Sequence, residues 1–173
     1  MNQRTAAQTV ALMGILCALA LALSALEGLI PPLPFLPPGA KAGFSNLMIL
    51  FAVNWLGGPY GLVITLFKAL FALLTRGGLA AVMSLCGGVG ATLITWVCVR
   101  FKASLILTGI LGALTHNLLQ LSVVLLITAT PYWIGYLPFL LLFAVCSGTV
   151  TGLLFRFTYS PLRRLAKHYR LRG

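Results

Sequence analysis

The sequence has no aspartate and a single glutamate, Glu27, against 12 lysines and arginines. Chemistry that needs two carboxylates, such as a paired general acid and base, is therefore excluded within this chain. So is the aspartate cluster that would hold magnesium against a diphosphate. No lysine follows a glycine, which removes the Gly-Lys-Ser/Thr end of a Walker phosphate loop. The two histidines and the four cysteines, Cys17, Cys86, Cys98 and Cys146, never fall at a metal-ligand spacing. The expectation is a chain without metal, cofactor or catalysis of its own, with its cysteines used as small packing residues. Charge is scarce altogether: 8% of residues are charged, where a soluble domain carries roughly 25%.

In place of charge there is apolar surface. Hydrophobic residues make up 60% of the 173 positions, and the mean hydropathy is +1.05. One helical crossing takes about 20 apolar residues, so a chain of this length holds about six or seven crossings and no soluble domain beside them. Apolar runs extend over about 8–30, 43–56, 60–74, 79–99, 104–129 and 137–157, followed by a basic tail at 158–173. Ala20-Leu21-Ala22 resembles a signal-peptide cleavage site, but the first run exceeds the usual core of about 7–15 residues, so it is assigned as the first helix. It stops where five prolines lie within Pro31-Pro32-Leu33-Pro34-Phe35-Leu36-Pro37-Pro38, which removes amide donors and forbids a continued helix. Such a stiff loop suits a lid or wall over a binding site. The second and third runs form either a helical hairpin or a pair in which one segment is re-entrant. The fold expected is all-α, a six-helix transmembrane bundle with both termini cytoplasmic.

The cations support that orientation. With the amino terminus inside, Arg4, Arg100, Lys102, Arg156, Arg163, Arg164, Lys167, Arg170 and Arg172 fall on the inner side, and only Lys41 and Arg76 fall outside. The net charge of +11 is thus a topology signal and not a nucleic-acid footprint; the basic tail suits anionic lipid. Tyr132, Trp133 and Tyr136, at the outer end of the last two helices, are expected in an interfacial aromatic belt.

Lys68 belongs to neither side, because it is embedded in the third run. An ionisable group in the hydrocarbon costs at least about 2.5 kcal/mol and needs a partner or a task. Helical rise puts Glu27 about 5 Å, Lys68 about 9 Å and Gln120 about 13 Å below the outer ends of their helices, with His116 and Asn117 one turn deeper. Lys41, Asn46 and Arg76 lie on the same side. The candidate ligand-binding residues are therefore Glu27, Lys41, Asn46, Lys68, Arg76, His116, Asn117 and Gln120. A buried ion pair of Glu27 with Lys68 or Lys41 is expected. His116, Asn117 and Gln120 either bond between helices or meet a ligand.

Small residues mark two close-approach faces, Gly14, Ala18 and Ala22 on the first helix and Gly148 with Gly152 on the last. Either can pack inside the bundle or dock a partner.

Glu27-Gly28-Leu29-Ile30-Pro31-Pro32-Leu33-Pro34-Phe35-Leu36-Pro37-Pro38-Gly39-Ala40-Lys41, then Gly43, Ser45 and Asn46, Gly112-Ala113-Leu114-Thr115-His116-Asn117-Leu118-Leu119-Gln120 and Tyr136-Leu137-Pro138 carry a family likeness over nearly the whole chain. The sequence resembles the bacterial membrane family called both Gx transporter and heptaprenyl diphosphate synthase component I, which in turn resembles the S components of energy-coupling factor (ECF) transporters. The resemblance implies an inner-membrane subunit that captures a small molecule, here an anionic one such as a flavin, isoprenoid or quinone precursor. It also implies a transmembrane coupling subunit, docked on Gly14, Ala18 and Ala22, and partner ATPases. The synthase label implies the alternative, a non-catalytic membrane scaffold for prenyl diphosphate or quinone synthesis or for an extracytoplasmic flavin electron-transfer system. With both termini cytoplasmic, a reporter that is active only outside the cytoplasm should stay silent when fused after Gly173, and activity there would reverse the topology.

Overall fold

Five helices of the computed structural model are long and apolar enough to cross a bilayer, and a sixth is not. The structure describes residues 6–29 and 43–170, with side chains as far as Tyr159. The proline-rich loop and Lys41 lie outside the described residues. In chain order the elements are α1 (Ala6–Leu29), α2 (Asn46–Trp55), α3 (Gly58–Arg76), α4 (Gly78–Arg100), α5 (Leu105–Thr128), a 3-10 turn (Pro131–Tyr136) and α6 (Leu137–Arg170). There is no strand among the described residues, and the protein is a multi-pass membrane protein.

The short helix is the centre of the bundle. α2 has 10 residues, about 15 Å at 1.5 Å each, half of a hydrocarbon core of about 30 Å. Six consecutive residues, Met48 to Val53, are buried, which is the signature of a helix enclosed on every side. It touches all five of the other helices. At its far end Phe51 stacks edge-on with Trp55 at 5.2 Å and with Phe155 of α6 at 4.5 Å, and Tyr159 lies 5.2 Å from Phe155.

Boundaries shift from the sequence reading for local reasons. α3 starts at Gly58, two residues before the apolar run read from sequence: Gly57 takes φ 111° and Pro59 occupies the first turn, where its missing N–H costs nothing. α3 and α4 are joined by Gly77 alone, at φ 87°, a conformation that glycine adopts without a Cβ clash. α6 does not end near Phe157 but continues through the basic tail to Arg170. The change from apolar to basic composition ends the membrane-compatible stretch, but Leu162 to Lys167 are strong helix formers and do not end the helix. Tyr132, Trp133 and Tyr136, expected in an interfacial belt, form one ring cluster with centroids 5.6–5.9 Å apart. Tyr132 is exposed, whereas Trp133 packs against Met83, Val123 and Val124 of α4 and α5. Of the cysteines, Cys98 is buried and Cys146 faces outward.

The two small-residue faces have opposite fates. A Cβ on Gly109 would lie 2.5 Å from the Gly148 carbonyl, one on Gly148 2.6 Å from Ile110 Cα, and one on Gly152 2.7 Å from Ile106 Cα. α5 and α6 therefore meet backbone to backbone, as close approach through glycine allows. On α1 the buried face is Leu16, Ala20, Ser24 and Glu27. Gly14, Ala18 and Ala22 are exposed, and a Cβ on Gly14 would meet nothing within 4 Å. Gly148→Leu should accordingly cost at least about 1–3 kcal/mol by overpacking, read as a lower melting temperature in detergent, whereas Gly14→Leu should leave it nearly unchanged. Equal effects would mean that the two faces pack alike.

Candidate functional site

The first residues of α2 lie beside Glu27, near the end of α1, and beside Lys68, eight residues before the end of α3. In a bilayer interior, backbone N–H groups at such a helix start have no water to bond to. The one carboxylate of the chain meets this need. Ser45 N–H donates to Glu27 Oε1 at 3.3 Å, and Ser45 Oγ–H donates to Glu27 Oε2 at 3.4 Å. A negative charge at a helix N-terminus is also favoured by the helix dipole. Gly43, at φ 80°, supplies the turn that brings Ser45 to Glu27, and its carbonyl accepts the Asn46 N–H at 2.9 Å.

Beside the expected pair of Glu27 with Lys68 or with Lys41, the latter outside the described residues, both buried charges are attached to the same helix start. Lys68 Nζ donates to Asn46 Oδ1 at 2.7 Å, while Glu27 holds Ser45. Both charges are buried, Lys68 at 4% and Glu27 at 7% exposure. Lys68 and Arg76 lie eight residues apart on α3, about 12 Å along its axis. Across the site, the Arg76 guanidinium and Glu27 attract each other.

On α5, Gln120 and His116 join at 3.0 Å through the amide Nε2 and the ring Nε2. Nitrogen faces nitrogen in this bond, so its direction follows the tautomer of His116, whose other ring nitrogen, Nδ1, turns the opposite way. That face of the ring lies against Gly87 of α4, where a Cβ would come within 2.8 Å of Nδ1. Gln120 Oε1 is thereby left as a buried acceptor, and Arg76 Nε as a buried donor, neither with a hydrogen-bond partner among the described residues. Unpaired buried polar atoms are uncommon and costly, and here they mark a place for a polar guest.

These groups line one cavity: Glu27, Ser45, Lys68, Arg76, His116 and Gln120, with Ser24 and Ser84 completing its polar wall. Its volume is about 20 Å³, room for about one water. Asn46 closes the inner side, next to a second void of about 20 Å³ among Ala91, Gly109, Gly112 and Ser147. Of the residues singled out from sequence, Glu27, Lys68, Arg76, His116 and Gln120 line the polar cavity and Asn46 bonds to Lys68. Asn117 is buried on α5 outside that lining. Ser24, Ser45 and Ser84 were not singled out. Ser24 was within reach, since it lies three residues before Glu27 on one helix face. Ser84 carries no signal that separates it from other helical serines.

The fold around the cavity has a known counterpart. The chain is similar to the S component of a bacterial ECF transporter in its solved structure, with a TM-score of 0.70 and 22% identity over 92% of this chain and 98% of that one. At that identity the likeness is one of fold. By sequence, the chain belongs to the heptaprenyl diphosphate synthase component I family, which it matches over residues 16–158. No curated protein matches it.

Replacing Glu27 by alanine leaves the Ser45 N–H buried without an acceptor, which should cost about 1–3 kcal/mol. Thermal unfolding of purified Glu27→Ala should show the loss, with Glu27→Gln milder because one acceptor oxygen remains. An unchanged melting temperature would mean that the carboxylate does not hold α2.

Proposed function

We propose that the protein is the substrate-binding membrane subunit of an ECF-type uptake system in a bacterial inner membrane, taking up a small anionic molecule with ATP energy from partner proteins. The observation that carries this reading is the polar cavity at one end of an S-component fold, with two cations, Lys68 and Arg76, and the unpaired Gln120 Oε1 and Arg76 Nε. Two cations against one carboxylate leave the described lining net positive, which favours an anion. The nine-to-two distribution of cations turns this end of the bundle outward. Lys41, also assigned to the ligand from sequence, belongs to the segment preceding Gly43 and would add a third cation. Asn46 and Gln120 orient the guest, His116 holds Gln120, and Asn117 packs behind them. The chain performs no catalysis in this reading.

A transmembrane coupling subunit would dock on Gly14, Ala18 and Ala22, and the exposure of all three supports this use. The family description supports a second reading, a non-catalytic membrane component of prenyl diphosphate or quinone synthesis. Copurification from the native membrane separates the two: ATPase subunits with the first, a soluble prenyl synthase with the second.

Ala18→Leu should abolish coupled uptake while leaving the melting temperature and ligand retention of the isolated subunit nearly unchanged, because the new side chain blocks a helix partner without reaching the cavity. Uptake by the variant at the wild-type rate, in cells or in reconstituted vesicles, would remove α1 as the docking face.

A further inference from the structure

α2 touches both α1 and α6, but the backbones of those two helices nowhere come within 8 Å of each other among the described residues. Around the start of α2 the gap between them is a groove of about 300 Å³. Leu23 and Leu26 of α1, Phe44 and Leu47 at the start of α2 and Leu154 of α6 line it, with Glu27 as its one polar wall. Both Glu27 oxygens accept from Ser45, so the carboxylate closes the groove off from the polar cavity. Toward the bilayer the groove is open: Leu26 is 60% and Leu154 45% exposed, and both belong to membrane-spanning segments.

Size and polarity separate the occupants that such a groove could take. Water finds no hydrogen bond among leucine and phenylalanine walls, and cavities of that kind stay dry. A partner helix is about 10–12 Å across with its side chains and does not fit within about 300 Å³. An acyl chain is a single file of methylenes, as apolar as leucine, and it is what the bilayer presents at the mouth of the groove. We infer that a bilayer phospholipid is a resident ligand of the protein, with part of one acyl chain seated between α1 and α6. At about 30 Å³ for each water-sized group, the seated part is about ten carbons. The chain supplies the neighbour that α1 lacks, since α1 buries only Leu16, Ala20, Ser24 and Glu27, and an unfilled groove would forfeit the dispersion contacts of its lining. Leu23 and Leu26 adjoin Ser24 and Glu27 in sequence, so the lipid packs against the turn of α1 that brings the carboxylate to Ser45. It steadies that contact without fastening α1 to α6, and this holds whatever the polar cavity binds.

The test uses the full-length protein in phosphatidylcholine nanodiscs containing a trace of phosphatidylcholine with a diazirine midway along one acyl chain. After irradiation, peptide mass spectrometry should find label at Leu23, Leu26, Leu47 and Leu154 in excess over the exposed Leu66, Leu70 and Leu74 of α3. The excess should be at least about fivefold, which corresponds to about 1 kcal/mol in favour of the groove over open lipid contact. Leu154→Trp, whose larger ring system occupies the groove, should abolish the excess and leave the α3 labelling as in the wild type. That unchanged labelling is also the check on folding, and Leu26→Trp repeats the test from the opposite wall if Leu154→Trp does not fold. In detergent, adding phosphatidylcholine back to delipidated protein should raise the melting temperature of the wild type more than that of Leu154→Trp. Equal labelling of the groove and α3, an excess that survives both substitutions, or an equal gain in melting temperature would overturn the resident lipid. A groove that takes no label while α3 does would overturn it as well, and would assign the groove to the chain's own residues 30–42.

Discussion

The contact between Glu27 and the start of α2 is the constraint on which the rest of the bundle depends. A helix that starts inside a membrane leaves N–H groups without water, and a carboxylate inside a membrane is costly unless it is paired. Each burden offsets the other. Ser45 gives Glu27 a backbone and a hydroxyl donor, and Glu27 gives α2 a negative charge at the positive end of its dipole. Because this arrangement fixes where α2 begins, the other helices surround a half-length core helix. Polar side chains from α1, α3, α4 and α5 then occupy the level at which a full-length helix would have placed leucine or phenylalanine. The site is thus a consequence of the shortness of α2, and Lys68 on Asn46 Oδ1 holds the same helix start from the opposite side.

Close packing elsewhere lets that core stay narrow. Gly61 of α3 faces Val53 and Thr92, Gly88 of α4 faces Thr65, and Gly87 accommodates the His116 ring. Thr65 and Thr92 share a hydrogen bond of 3.1 Å, and Thr92 also donates to the Gly88 carbonyl at 2.8 Å. Lipid is as apolar as the core, so such helices are held by contact and hydrogen bonding more than by exclusion of water. Glycine serves that end by bringing backbones together at α5 and α6.

Much of this was legible in the sequence because a membrane simplifies the reading. Apolar runs gave the helices, and the rarity of ionisable groups drew attention to Glu27, Lys68 and Gln120, which do line one cavity. What sequence did not yield was the pairing. Glu27 and Lys68 have opposite charge and similar depth, which suggests a direct bond, but not that both also bind the start of α2; only the three-dimensional positions of Ser45 and Asn46 reveal this. Depth along a helix is likewise blind to rotation: Asn117 shares a level with His116 but lies outside the cavity lining. The twin small-residue stripes were equally ambiguous. The spacing in Gly14, Ala18, Ala22 and in Gly148, Gly152 is the same, and packing alone separates an outward face from an inward one.

The outward stripe and the carboxylate lie on different faces of one helix, and this has a mechanical consequence for the proposed function. The backbone of α1 comes within 8 Å of α2 and α3 but of no other described helix, so it is the wall of the cavity with the fewest close neighbours, and elements with few buried contacts are those that open at least cost. A polar cavity of about 20 Å³ must widen for any guest larger than water. Moving α1 widens it, but it also draws Glu27 from Ser45 and exposes the start of α2. An anionic guest cannot replace that carboxylate without facing Lys68 and Arg76, and these are the groups that favour it. A partner helix lying along Gly14, Ala18 and Ala22 would bear on the same α1 from outside. Guest and partner would then act on one equilibrium, the position of α1, which is the condition under which binding at one face changes affinity at the other.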